Sequence, residues 1–122
     1  MKLHFDSLSA RYSIQRYDTG VITINETPYT HNLILSPNYL SDWEVEGFDQ
    51  LTTAHFERLL ALKPELVILG TGETLRFPDP ALTAPLVNAN IGVEVMSLAA
   101  ACRTYNILIG EDRSVVAGML FK

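Results

Sequence analysis

The 122-residue chain is 48% apolar and 19% charged, with 9 Lys and Arg against 14 Asp and Glu, a net charge of −5. A chain this size buries about two-thirds of its surface as one domain, enough for a core without disulfides or a structural metal. The composition excludes a disordered chain, the charge excludes a protein devoted to neutralising phosphate backbones, and no stretch approaches the roughly eighteen apolar residues of a bilayer span.

The start, Met1-Lys2-Leu3-His4-Phe5-Asp6, has neither the long apolar segment of a signal peptide nor the Arg-rich, acid-poor character of a mitochondrial presequence. The single cysteine, Cys102, has no intramolecular disulfide partner, so the cytoplasm is the expected compartment. Tyr12-Ser13-Ile14-Gln15-Arg16-Tyr17 and Val21-Ile22-Thr23-Ile24-Asn25 are rich in β-branched and aromatic residues and read as strands joined across Asp18-Thr19-Gly20. A turn at Asn25-Glu26-Thr27-Pro28 leads into a third run from Tyr29 to Leu35, which Ser36-Pro37-Asn38 breaks. Trp43 follows in an acidic stretch, Asp42-Trp43-Glu44-Val45-Glu46, ended by Gly47. Residues 1–47 therefore read mainly as an antiparallel β meander.

From residue 48 on the period changes. Phe56, Leu59, Leu60 and Lys63 share a helical face that Thr52 or Thr53 can cap and Pro64 stops. Leu66-Val67-Ile68-Leu69 is the unbroken apolar run of a strand buried on both faces. Asp79-Pro80 opens a helix that Pro85 keeps short or kinked. Val93-Glu94-Val95-Met96 is a strand, Ser97 caps a helix reaching about Leu108, and a last strand runs from Val115 to Phe121. This alternation over residues 48–122 implies a parallel or mixed sheet covered by helices. The expected architecture is one α/β domain over residues 1–122.

Gly70, Thr71, Gly72 and Glu73 follow the buried run at the strand's carboxyl end, where open α/β sheets collect ligands. Leu75 stands where a dinucleotide fingerprint needs its third glycine, so no nucleotide cofactor is expected. Leu98, Cys102, Tyr105 and Ile109 form one helical stripe, which assigns Cys102 to packing. Arg103 lies with Ala99 and Asn106 on the other side. There it could clamp a carboxylate or phosphate, or form an ion pair with Glu73 or Glu94. Asp18-Thr19-Gly20 is read as a turn, not as an aspartic-protease tripeptide. His4, His31 and His55 lack ligand spacing, so no metal site is expected. Tyr39, Trp43 and Phe48 are assigned to a partner surface, the alternative being aromatics that fold inward.

The strand ending Leu69-Gly70-Thr71-Gly72, Gly92-Val93-Glu94-Val95-Met96, Ala100-Ala101-Cys102-Arg103-Thr104-Tyr105-Asn106 and Val115-Val116-Ala117-Gly118-Met119-Leu120 occur in that order. Together they resemble a family of small bacterial and archaeal proteins of unknown function, whose eukaryotic relatives include the mitochondrial complex I assembly factor 3 and an adipogenesis-associated protein. The resemblance covers nearly the whole chain and is strongest from residue 51 onward. It implies three layers: a mixed central sheet, helices on both sides and an additional antiparallel β layer from the N-terminal half. It also implies that Gly70, Thr71, Gly72, Glu94, Cys102, Arg103, Tyr105 and Asn106 mark fold or pocket. The functional expectation is a non-catalytic binding or assembly protein with a protein partner and no nucleic acid, linked to respiratory-complex or membrane-protein assembly. The alternative is a small-molecule or anion-binding enzyme that contacts ligand through Gly70, Thr71, Gly72, Glu73 and Arg103.

Overall fold

The computed structural model describes residues 11–122. The start of the chain, read above for targeting signals, and His4 lie outside the described residues. Three short strands come first: β1 (Ile14–Asp18), β2 (Val21–Ile24) and β3 (Thr27–Tyr29). They pair antiparallel in chain order, with Tyr17 opposite Ile22 and Thr23 opposite Pro28, and form a sheet of their own.

The run expected to continue from Tyr29 to Leu35 is cut in two. β4 (Leu33–Ser36) and β5 (Tyr39–Asp42) leave the first sheet for a second. Asn32 sits at the break. Its side-chain NH2 donates to the Val45 carbonyl at 2.7 Å, and its side-chain oxygen accepts from the Phe121 N–H at 2.7 Å. Those bonds commit Asn32 to the far end of the second sheet. Residues 11–47 are therefore not the one meander expected: three strands make a layer, and the next two extend an edge.

The second sheet has the order β5-β4-β8-β6-β7, with β6 (Leu66–Thr71), β7 (Gly92–Met96) and β8 (Val115–Leu120) parallel and β4 and β5 antiparallel to their neighbours. Three α-helices are α1 (Thr53–Leu60), α2 (Pro80–Asn88) and α3 (Leu98–Gly110). Thr52 opens α1, its N–H donating to His55 Nδ1 at 2.9 Å. The helix stops at Leu60, and Lys63 is left-handed (φ 55°) in the turn before Pro64, off the helical face assigned to it from spacing. Asp79 caps α2, accepting from the Ala81 N–H at 2.9 Å, and Pro85 stands inside this short helix.

Period-two alternation divides the core between the faces of the central sheet. Leu66, Ile68, Ala117 and Met119 pack with Ile14, Ile22 and Ile24 of the first sheet and with Leu98, Cys102, Tyr105 and Ile109 of α3. Val67, Leu69, Val116 and Leu120 face Phe56 and Leu59 of α1, Leu86 of α2, and Trp43. The three layers are thus α3 with the small sheet, the mixed sheet, and α1 with α2. No described helix is long and apolar enough to cross a membrane; α3, the longest α-helix, has 13 residues.

Candidate functional site

The carboxyl ends of β6, β7 and β8 open onto the loop that follows β6. Gly70 is still inside β6. A Cβ there would lie 3.0 Å from Ala101 Cβ, 3.1 Å from Leu98 Cδ1 and 3.2 Å from Met119 Sδ, so α3 is seated directly on its backbone. Gly72 turns the chain in the left-handed region (φ 82°), which favours glycine, and its carbonyl accepts from the Leu98 N–H at 2.7 Å. The buried Thr71 hydroxyl donates to the Thr74 carbonyl at 2.7 Å and accepts from the Arg76 N–H at 3.1 Å. Glu73 is exposed.

Arg76 fixes the far side of the loop. Its guanidinium lies over the Phe48 ring, 4.2 Å from the centroid, and donates to Asp49. Phe48 and Asp49 belong to a 3-10 turn (Phe48–Gln50), and the Phe48 N–H donates to the Lys122 carbonyl at 3.0 Å. A cavity of about 390 Å³ lies beside the loop, lined by Thr71, Glu73, Thr74, Arg76, Phe121 and Lys122. Arg103 is not in that lining. It is exposed on α3, and among the described residues it pairs with neither Glu73 nor Glu94. The loop tip is apolar: Leu75 is 51% exposed and Phe77 71%.

The three aromatic residues assigned to a partner surface have three different places. Trp43 is 2% exposed, which corrects that assignment for it: the indole folds inward across Gly118. It stands edge-on to Phe56, with ring centroids 6.2 Å apart. The carboxylates flanking it stay in water while the ring takes the sheet face, as alternation in an extended segment allows. Tyr39 is half-buried and its hydroxyl accepts from Arg58 Nη2 at 3.4 Å; bonds from Ser41 and Arg58 hold the phenol below its ordinary pKa. Phe48 lies under Arg76. Outside Trp43 a cleft of about 550 Å³ carries Glu44 and Glu46, with His31 Nε2 2.6 Å from Asp42 on its wall.

The heptapeptide ending at Asn106 holds the first sheet to α3. Asn106 accepts from the Ile14 N–H at 3.0 Å and donates to the Ile14 carbonyl at 2.5 Å, so its carboxamide completes the free edge of β1 as another strand would. The Tyr105 hydroxyl donates to the Tyr12 carbonyl at 2.8 Å. Asn106 therefore faces β1 instead of sharing an outer face with Arg103. Cys102 is buried in the stripe, and desolvation pushes its thiol up to about 12 against a small opposing pull from Arg103. Such a thiol is protonated near neutrality and a poor nucleophile. Among the described residues, no three His, Cys, Asp or Glu side chains are grouped to hold a metal ion.

Asn32, Arg76, Leu75 and Phe77 received no binding role from the sequence. Leu75-Arg76-Phe77-Pro78 offered a signal, two large apolar residues in a loop ended by proline, with no core position to receive them.

The chain is 29% identical over 117 residues to a Francisella tularensis subsp. holarctica protein described as a 13 kDa major membrane protein, covering 94% of this chain and 95% of that one. It is 30% identical over 121 residues to the human NADH dehydrogenase (ubiquinone) 1 alpha subcomplex assembly factor 3, covering 97% of this chain and 65% of that longer protein. The NMR structure of a Xanthomonas campestris protein superposes with a TM-score of 0.86 at 36% identity, covering 99% of this chain and 92% of that one. Residues 14–120, from the first residue of β1 to the last of β8, match the family described as protein of unknown function (DUF498/DUF598), and the chain belongs to that family.

Proposed function

We propose that this protein is a non-catalytic binding protein that works in the cytoplasm on assembly of a respiratory complex or another membrane-protein assembly. The carrying observation is the loop after β6, which presents Leu75 at 51% and Phe77 at 71% exposure. Such residues are normally buried, and covering the exposed half of Leu75 and the exposed two-thirds of Phe77 against a partner is worth about 1–2 kcal/mol each. The loop is pre-organised by the Thr71 hydroxyl on one side and the Arg76–Phe48 stack on the other, so little ordering entropy opposes docking. The similarity to the human assembly factor supports the choice of partner class, while the chain spans 65% of that protein's length.

The test is affinity isolation of tagged protein from its own cells, membranes solubilised, with Phe77→Ser and Arg103→Ala variants alongside. Wild type should recover subunits of a respiratory complex or of membrane-insertion machinery. Phe77→Ser should lose them at unchanged thermal stability, and Arg103→Ala should keep them. Recovery undiminished in Phe77→Ser removes the loop from the contact, and wild type that recovers no such subunit overturns the assembly reading.

A further inference from the structure

A cleft larger than the two described above lies at the opposite end of the central sheet from the glycine loop. About 730 Å³ in volume, it opens where β4 turns into β5 and where β8 begins. Ligand sites of open α/β sheets gather at the other end, so neither the sequence nor the fold points to this one.

Its walls divide by chemistry. Pro37 and Leu62, both partly exposed, supply an apolar part. Arg11, Asn38 and Tyr39 supply the polar part, and no Asp or Glu lines it among the described residues. In a chain of net charge −5, a cleft of this size with an arginine and no carboxylate among the described residues that line it selects for negative charge. Each polar group is oriented by a bond of its own. Arg11 Nη2 donates to the Ile109 carbonyl at 3.0 Å, anchoring the guanidinium at the end of α3. The Asn38 side-chain oxygen accepts from Ser36 Oγ at 3.1 Å, which leaves its NH2 to donate. Tyr39 accepts from Arg58 at 3.4 Å, so its own proton is turned to other acceptors, and the lowered phenol pKa makes that proton a better donor.

From these contacts we infer that the cleft is a binding site for a small organic carboxylate with a short apolar body. The carboxylate sits on the Arg11 guanidinium with Asn38 and Tyr39 as neutral donors, and the body lies on Pro37 and Leu62. A charge-assisted bond to Arg11 carries most of the discrimination between an acid and its amide. This site is independent of the loop at Leu75 and Phe77, so either can fail alone.

Sodium benzoate is the probe, read by amide chemical shifts of the ¹⁵N-labelled full chain, with benzamide and inorganic phosphate as parallel arms. Benzoate should give saturable millimolar shifts at Asn38, Tyr39 and Val115, at least tenfold tighter than benzamide or phosphate. Arg11→Gln should weaken benzoate tenfold or more. Asn38→Asp, which adds a carboxylate to the wall, should do the same and serves if Arg11→Gln does not fold. The inference is overturned by absent or non-saturable shifts at those residues, by benzamide binding as well as benzoate, or by phosphate alone binding as well. Unchanged affinity in a folded Arg11→Gln or Asn38→Asp protein overturns it too.

Discussion

Asn106 gives both ends of one carboxamide to a single residue of β1, and its loss leaves two backbone groups of Ile14 without partners. An unsatisfied buried polar group costs about 1–3 kcal/mol, so Asn106→Leu should lower unfolding stability by about 2–4 kcal/mol in urea. Tyr105→Phe removes one bond, from its hydroxyl to the Tyr12 carbonyl, and should cost about 1 kcal/mol. Equal small losses in both would mean the amide is not the clasp. Cys102 makes a prediction of opposite character. Its folded pKa of about 12 lies above the unfolded value of about 8.5, so the folded protein keeps a proton that the unfolded chain releases. The resulting stability is intact below about pH 8.5 and declines as pH rises toward 12, by up to about 1.4 kcal/mol per pH unit. Tyr105, also raised by burial, adds in the same sense at higher pH. Urea midpoints of wild type and Cys102→Ala at pH 8 and 10 isolate the thiol, because Tyr105 is common to both. The wild type should lose more, and parallel losses would contradict the burial of this group.

Among the elements, β8 shows what periodicity conveys and what it omits. Its run from Val115 announced a strand, and the stripe of Leu98, Cys102, Tyr105 and Ile109 announced the inner face of α3; both stand. Gly118 carried no such message, because its requirement comes from Trp43, 75 positions away. A Cβ on Gly118 would lie 2.7 Å from Trp43 Cζ3, closer than packed carbons come. Gly118→Ala should therefore cost about 1–3 kcal/mol as overpacking, and Trp43→Leu about 2–4 kcal/mol as a cavity. The added methyl can occupy space the indole vacates, so the double variant should be at least about 1 kcal/mol more stable than additivity allows. Additive losses in a denaturation cycle would mean the ring and the strand do not share that space. The same non-locality hid the division of the first five strands. β4 is a short run buried at every position, Leu33-Ile34-Leu35-Ser36, and nothing within it says that its partner is β8, over eighty residues on.

At the scale of the whole molecule, the boundary at residue 47 separates sequence styles and not folding units. β4 and β5, from before it, complete the sheet whose other strands come after it. Ile14, Ile22 and Ile24 share one core with Leu66, Ala117 and α3. The candidate site was legible to the same degree. The position of the glycine loop could be read because two glycines after an apolar strand are a local signal, whereas Arg103 was joined to it by the chemistry an arginine can supply, and the helical spacing that set its face cannot say where a helix axis lies. If the small sheet is part of the main core, removing denaturant protection from one layer removes it from all. Trp43 reports the face covered by α1 and α2, while Ile22 and Ile24 lie on the opposite side. Trp43 fluorescence, far-ultraviolet circular dichroism and global exchange of the Ile22 and Ile24 amides should therefore give one unfolding free energy. Exchange at Ile22 and Ile24 several kcal/mol easier than the fluorescence transition would make the first sheet an independently opening layer. Asn106→Leu offers the internal control: in a single cooperative unit it must shift the Trp43 transition, although Trp43 is on the far side of the sheet.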